Sequence, residues 1–184
     1  QGEIAEAMGF DSFWLPENHF SGPAAIPSPL MLLAAIASRT SKIRLGSTSY
    51  LLPIRNPILA AEEVAVLDRL SAGRVILGIG RGFQDVMFKI FNIPRKEKRA
   101  IFRENLQVMI SAWRGDPIDH YDGKDIFLSP LPVQRPHPPL WVAAFGPLAI
   151  KQAGSLGLPY IASPVEGLVN LKNNITQHQN HVEE

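Results

Sequence analysis

Short strand-like segments alternate with longer helix-like segments through the first half of the chain. Ser12 to Leu15, Ile43 to Ser47 and Val75 to Ile79 are the strand-like segments, and their starts lie 31 and 32 residues apart. Helix-like segments follow the first two strands, at Leu30 to Ser38 and at Pro57 to about Leu70. An apolar, β-branched segment such as Val75 to Ile79 suits a strand that helices cover on both faces. This repeat predicts an α/β fold with a parallel sheet.

The second half of the chain continues this pattern with one interruption. His120 to Lys124 contains an Asp-Gly turn between short extended arms, which predicts an inserted hairpin. Two further strands are expected at Leu140 to Ala144 and Tyr160 to Ile161. The remaining helices are expected at Asp85 to Phe91, Glu97 to Trp113, Pro147 to Leu156 and Leu168 to Glu184, with Ile101, Leu106, Val108, Met109 and Trp113 in the core.

Five parallel strands cannot close an eight-stranded barrel. At roughly 30 residues per strand-helix unit, three further units would bring the chain to about 275 residues, which is within the usual range of the TIM barrel. The predicted fold class is therefore α/β, a partial TIM (β/α)8 barrel containing roughly strands two to six, with the hairpin between strands four and five. We expect residues 1–184 to form a single domain that is truncated at both ends.

Composition excludes several classes of function. The net charge is +1 and there is no basic stripe with interleaved aromatic residues, so no nucleic acid or membrane-surface partner is expected. No apolar run approaches the ~20 residues that span a bilayer. Cysteine is absent, which removes thiol catalysis and Cys-based metal sites, and the histidines form no metal-binding constellation. The first eight residues include two glutamates and no basic residue, unlike a signal peptide, so we expect a cytoplasmic protein.

The segment Gly78-Ile79-Gly80-Arg81-Gly82 follows a buried strand and carries one arginine. Ligands of α/β folds bind at the carboxyl ends of strands, and a guanidinium can hold phosphate with two parallel hydrogen bonds. The dinucleotide-binding fingerprint is excluded because residue 83 is Phe where a glycine is required. A Walker A loop is excluded because Gly123-Lys124 is followed by Asp125. Arg81 is thus a candidate phosphate ligand, the alternative being a solvated arginine at a tight strand end.

Several blocks of the sequence, in this order, resemble the bacterial luciferase-like monooxygenases, which are flavin- or deazaflavin-dependent barrels. The blocks are Gly9 to Phe20 (GFDSFWLPENHF), Leu45 to Thr48, Pro57 to Arg74, Gly78 to Gly82 and Pro136 to Ala144. The resemblance implies an enzyme that uses reduced FMN and O2 to oxygenate a small organic substrate. Alternatives are hydride transfer with the deazaflavin F420 on the same fold, or a flavin-binding protein without turnover. A flavin reductase or another source of reduced flavin is an implied partner, and a homodimer is possible.

The resemblance also implies catalytic residues after the first predicted strand. In the family a histidine in this loop lies near the flavin ring, so His19, with its neighbours Glu17 and Asn18, would face the catalytic mouth. An Asn-His pair there could donate hydrogen bonds to an oxygen, and histidine can exchange a proton near neutral pH. The alternative is a loop histidine bonded to nearby backbone. Luciferase has two consecutive histidines after the glutamate, and Asn18 stands in place of the first.

Cofactor-binding residues are implied in four places. Ser47, Thr48 and Ser49 would pack backbone under the flavin, often with a cis peptide in this family; the alternative is an ordinary strand end. Arg81 resembles the phosphate-binding arginine. Arg99 falls where a second basic contact occurs, although the charged run Arg95 to Arg103 also suits a solvated helix face. The sequence around Gly146 departs from the family, since Phe145-Gly146-Pro147 replaces an acidic and hydroxyl pair, but its backbone amides could bind an anion.

Overall fold

The computed structural model of the chain describes residues 1–144, 146–163 and 166–182. Phe145, and residues 183 and 184 at the end of the last predicted helix, lie outside the described residues. All the elements discussed below fall within the described ranges.

The described strands form one parallel sheet and one hairpin. In chain order they are β1 (Ser12–Leu15), β2 (Arg44–Ser47), β3 (Tyr50–Leu51), β4 (Val75–Gly80), β5 (Asp119–Tyr121), β6 (Lys124–Ile126), β7 (Leu140–Ala143) and β8 (Tyr160–Ile161). The sheet has the order β1-β2-β4-β7-β8, and every neighbouring pair is parallel. The five predicted parallel strands are therefore present in an α/β half-barrel. The short strand β3, which the sequence analysis missed, pairs with β4 as a sixth member.

The predicted hairpin is present as the antiparallel pair β5 and β6. Asp122 and Gly123, its two turn residues, have φ angles of 51° and 72°. Positive φ at both central residues is what a two-residue hairpin turn with the right-handed strand twist requires, and Asp-Gly accepts it readily. The hairpin forms a sheet of its own and interrupts the strand-helix repeat between β4 and β7.

The helices alternate with the sheet strands as expected. They are α1 (Gly2–Ala7), α2 (Pro29–Ala37), α3 (Pro57–Leu70), α4 (Asp85–Ile90), α5 (Lys98–Arg114), α6 (Pro147–Ser155) and α7 (Leu168–Val182). Asn56 caps α3, because its side-chain oxygen accepts from the amides of Ile58 and Leu59. Ser28 occupies the N-cap position of α2, but its side chain makes no capping hydrogen bond.

The helix α5 begins one residue later than predicted. Three of its five predicted core residues, Leu106, Met109 and Trp113, are buried, and Ile101 is partly buried. Residues 95–97 form a 3-10 turn, so the α-helix begins at Lys98 instead of Glu97. Phe102, Leu106, Met109 and Trp113 are fully buried at helical spacing. Val108, expected in the core, is 39% exposed because it lies on the opposite side of the helix from this stripe.

The core lies between the sheet and its helices. One cluster joins strand side chains such as Leu45 and Leu77 to helix side chains such as Val64 and Phe102. Trp113 is completely buried there, and its indole N–H donates to the Ala61 carbonyl at 3.0 Å. This packing fixes the strands and therefore the loops that leave their carboxyl ends. None of the helices in the described ranges is long and apolar enough to cross a membrane.

Candidate active site

A cavity of about 720 Å³ opens at the carboxyl ends of the parallel strands. Residues that follow or end β1, β2, β4, β7 and β8 all line it. They include Glu17, Asn18, His19, Thr48, Ser49, Gly80, Arg81, Gly82, Ala143, Ile161 and Ser163. The segment after β4 and the start of α5 add Phe83, Gln84, Met87 and Lys98. This is the position at which open α/β sheets bind their ligands.

Two cations line one part of this cavity. Arg81 is half-buried and donates from Nη1 to the Gln152 side-chain oxygen at 3.1 Å, while Lys98 donates from Nζ to the Gly82 carbonyl at 3.0 Å. None of the ion pairs in the described part of the chain includes either residue. Two basic side chains without an acidic partner in a cavity wall make a site suited to an anion.

The pKa directions agree with this description. Burial, and then the nearby charge of Arg99, lower the pKa of Arg81. Burial, followed by the charges of Arg81 and Arg95, lowers the pKa of Lys98. In both cases the protonated form is held in a place that disfavours it, and a bound anion would relieve that cost.

His19 lines the cavity together with the loop that follows β1. Its Nε2 lies 2.7 Å from the Glu17 carboxylate, so it is bonded to a side chain and the predicted alternative of a backbone-bonded loop histidine is not what the structure contains. The side chain of Glu17 has no exposed surface and forms an ion pair with Arg55 at 2.8 Å. Glu17 therefore supports His19 from within the cavity wall, and a bound ligand has no access to its carboxylate.

Asn18 shapes the same loop. Its side-chain oxygen accepts from the Ile26 backbone amide at 2.7 Å and from the Ser21 hydroxyl at 3.2 Å, and its backbone N–H donates to the Ile26 carbonyl at 3.1 Å. These bonds join the segment around Ile26 to the loop after β1 that carries His19. The oxygen of Asn18 is thereby occupied, although the residue is part of the lining.

The loop after β2 forms the floor of the cavity. Thr48 and Ser49 line it, and the Thr48–Ser49 peptide is cis, the feature that the family resemblance implied at this place. Gly80 lies against this floor, because a Cβ built on it would come within 2.0 Å of the Ser49 hydroxyl oxygen. The glycine therefore lets the end of β4 approach the loop more closely than any other residue could.

Three of the predicted cofactor residues lie outside the cavity lining. Ser47 is buried behind it, and its hydroxyl donates to the Gly78 carbonyl at 2.9 Å, so this residue joins β2 to β4. Arg99 is exposed and contributes only through its charge and its carbonyl, which accepts from Gln152 at 3.3 Å. Gly146 is the exposed N-cap of α6 and contributes nothing to the lining.

Lys98 is a charged lining residue that the sequence analysis missed. The signal was present, because the charged run Arg95 to Arg103 was recognised and Arg99 was selected from it. Arg99 was selected because the family resemblance implies a second basic contact at that place. With the helix starting at Lys98, the first residue of the helix faces the cavity and its neighbour faces solvent.

The remaining lining is largely apolar, with Leu51, Phe83, Met87, Ala143 and Ile161 among its members. The cavity thus combines a cationic part, one histidine and an apolar wall. Among the described residues, no group of three or more acidic or histidine side chains is arranged to hold a metal ion. The cationic part and the apolar wall together suit an organic ligand with an anionic group.

Comparison with known proteins identifies the family. The sequence profile of the luciferase-like monooxygenases matches residues 1–180. The chain belongs to this family. The recognition made from the sequence blocks is therefore confirmed, and with it the assignment to a family of oxidoreductases.

Relatives of several activities are found. The protein y4wF of Sinorhizobium fredii is 36% identical over 84% of this chain and 46% of its own length. An alkanal monooxygenase alpha chain of Photorhabdus luminescens is 27% identical over 98% of this chain and 53% of its own. The oxygenase component of a flavin-dependent trigonelline monooxygenase from Acinetobacter baylyi is 30% identical over 79% and 42%. The chain thus spans about half the length of the curated relatives that it matches.

Solved structures share the fold along almost the whole chain. The monooxygenase RslO1 of Streptomyces bottropensis superposes with a TM-score of 0.88 at 27% identity, covering 99% of this chain and 57% of that one. The oxygenating constituent of 3,6-diketocamphane monooxygenase from Pseudomonas putida, in complex with FMN, gives 0.85 at 24% identity over 99% and 55%. An F420-dependent secondary alcohol dehydrogenase gives 0.80 at 23% identity over 99% and 58%. Flavin and F420 enzymes are both represented among these folds.

Proposed function

We propose that this protein is a flavin-dependent monooxygenase that uses reduced FMN and O2 to oxygenate a small organic substrate. The observation that carries the proposal is the pair of cations, Arg81 and Lys98, in the wall of a 720 Å³ cavity that also presents His19. The flavin dependence stated for the trigonelline monooxygenase component, at 30% identity, supports the choice of cofactor.

The residues present fit FMN. Its phosphate is a dianion, and the cationic part of the cavity offers one guanidinium and one ammonium for it. Neither forms an ion pair with an acidic residue in the described part of the chain. Gly82, with φ +73° beside Arg81, keeps the backbone there without a side chain. The flavin ring would lie against the loop of Thr48 and Ser49.

The residues of the chain would bind and position the reacting groups and exclude water from them. Bound reduced flavin supplies the electrons with which O2 is activated. Arg81 and Lys98 would hold the phosphate, and His19 would exchange a hydrogen bond or a proton with the reacting oxygen or the substrate. The apolar wall of Leu51, Met87 and Ile161 would exclude water, which promotes side reactions of reactive oxygen species.

The alternative on the same fold is hydride transfer with F420, as in the alcohol dehydrogenase that shares this architecture. A flavin-binding protein without turnover is the alternative from another class. Titration of the purified protein with FMN and with F420 distinguishes the flavin-dependent from the F420-dependent function, since tight F420 binding without FMN binding would reverse our choice. Oxygen consumption with reduced FMN and a panel of small organic substrates distinguishes a monooxygenase from a flavin-binding protein without turnover. The latter binds reduced flavin without substrate-dependent oxygen uptake.

The position in the barrel, the partner, the location and the oligomeric state of the protein are also proposals. We propose that the parallel strands occupy positions two to six of a TIM barrel within one domain over residues 1–184, that a reductase supplies the reduced flavin, and that the protein is cytoplasmic. A homodimer is supported by exposed apolar side chains on α2 and α3, where Met31 and Leu70 are 72% and 62% exposed. Sedimentation velocity of the protein tests the dimer.

A further inference from the structure

The Glu17 carboxylate is enclosed by hydrogen-bond donors in the wall of the cavity. One oxygen accepts from the Leu51 amide at 3.0 Å. The other lies 2.8 Å from Arg55 Nη2 and 2.7 Å from His19 Nε2. An amide can only donate, and a guanidinium is always protonated, so both of these partners require Glu17 to be an acceptor.

This arrangement decides which nitrogen of His19 carries the proton. An ionised carboxylate has no proton to donate, so the 2.7 Å contact requires Nε2 to be the donor. In the neutral ring, Nδ1 then holds the lone pair. Nδ1 makes no hydrogen bond to the described residues, and every fully buried side-chain nitrogen or oxygen among them has a partner. Nδ1 is therefore accessible, and the residue lines the cavity.

The groups around this pair are held in place. Arg55 also donates to the Leu51 carbonyl at 2.8 Å, and its guanidinium lies 3.8 Å from the centre of the Tyr50 ring. On the other side, Phe91 contacts the His19 imidazole edge-on, with ring centres 5.1 Å apart. The carboxylate and the imidazole plane are thus both fixed before any ligand arrives.

We propose that Glu17, anchored by Arg55, is a positioning residue that keeps His19 in the Nε2-protonated tautomer and presents Nδ1 to the cavity as an acceptor. The ligand group that fits this acceptor is a hydroxyl or an N–H of the substrate or cofactor. What that group does in turnover rests on the proposed function. The tautomer and its control by Glu17 do not, because they follow from contacts within the protein.

The test is ¹⁵N NMR of histidine-labelled protein without cofactor, at mildly alkaline pH where imidazoles are neutral. In the wild type, we expect the His19 Nε2 to show the protonated and Nδ1 the unprotonated resonance. In Glu17→Gln, the amide offers both a donor and an acceptor, so we expect a mixture of tautomers. Glu63→Gln is the matched control, because Glu63 binds the Tyr50 hydroxyl at 2.8 Å in the same region without touching His19.

Either of two results overturns the proposal: a wild-type His19 with its proton on Nδ1, or a Glu17→Gln protein whose tautomer is unchanged. The wild-type spectrum alone decides the first, so the test survives if the variant does not fold. A second readout is turnover with reduced FMN, which should fall about 10- to 100-fold in Glu17→Gln with little change in FMN affinity. If the protein binds no FMN, the proposed function fails while the tautomer result stands.

Discussion

Replacing Arg81 with methionine tests whether the cationic part of the cavity binds a phosphate. The substitution keeps an apolar stem of similar reach and removes the guanidinium, whose only hydrogen bond to the described residues is to Gln152 at 3.1 Å. A hydrogen bond to a charged group contributes about 1.5–3 kcal/mol net, which corresponds to about a 10- to 150-fold change in affinity. Because Lys98 remains beside it, we expect FMN affinity to fall toward the lower end of that range.

The assay is flavin fluorescence titration with two ligands, FMN and riboflavin, which differ only by the phosphate. Arg81→Met should weaken FMN binding by at least about tenfold and leave riboflavin binding almost unchanged. Arg103→Met is the matched control, since this arginine is exposed on α5. Equal weakening of both flavins, or no weakening of FMN, would refute the assignment of a phosphate to Arg81.

Three further predictions concern neighbouring features. Because the pKa of Lys98 is lowered, its charge is lost at lower pH than that of an ordinary lysine, and FMN affinity should fall as pH rises through that pKa. Lys98→Met should abolish this part of the pH dependence. A Lys98→Met protein with the same pH profile as the wild type contradicts the prediction. Gly80→Ala places a Cβ 2.0 Å from the Ser49 hydroxyl oxygen and should lower the free energy of unfolding in urea by about 1–3 kcal/mol. Adding Ser49→Gly should largely restore it, and losses that simply add in the double variant contradict the contact. In the same urea unfolding assay, Trp113→Ala should lower the free energy of unfolding by about 3–5 kcal/mol and Val108→Ala by under about 0.5 kcal/mol. Similar losses in the two variants contradict the assigned burial.

The fold was largely predictable because its determinants are local and repeated. Buried β-branched segments such as Val75 to Ile79 and helices with turn signals at both ends recur at a spacing that a parallel sheet requires. The Asp-Gly turn at residue 122 identified the hairpin for the same reason. Strand β3 was missed because it begins three residues after the end of β2 with no helix between them, so the strand-helix repeat does not predict it, and its pairing with β4 is a long-range contact.

The site was predictable in part. The family resemblance placed His19, Asn18, Thr48, Ser49 and Arg81 in positions that do line one cavity. Ser47 was included because the family resemblance implies that the backbone of this segment packs under the flavin, but Ser47 lies outside the lining and its hydroxyl donates to the Gly78 carbonyl. Such a difference of one residue is beyond sequence reasoning without a known register.

Lys98 and Arg55 could not be assigned from the sequence because each depends on tertiary packing. Lys98 lines the cavity and Arg99 does not, and this depends on how α5 packs against the rest of the fold. The role of Arg55 depends on meeting a carboxylate 38 positions earlier in the chain, at 2.8 Å. The charged run Arg95 to Arg103 indicated a basic segment but did not distinguish Lys98 from its neighbours, and no sequence pattern singles out Arg55.

A crystal structure of the protein with FMN is the most direct measurement of the central claim. The account predicts phosphate oxygens at about 2.7–2.9 Å from the Arg81 guanidinium and the Lys98 ammonium, with the ring against Thr48 and Ser49 and within reach of His19. A phosphate bound instead at the backbone of Gly146, or outside the cavity altogether, would contradict it.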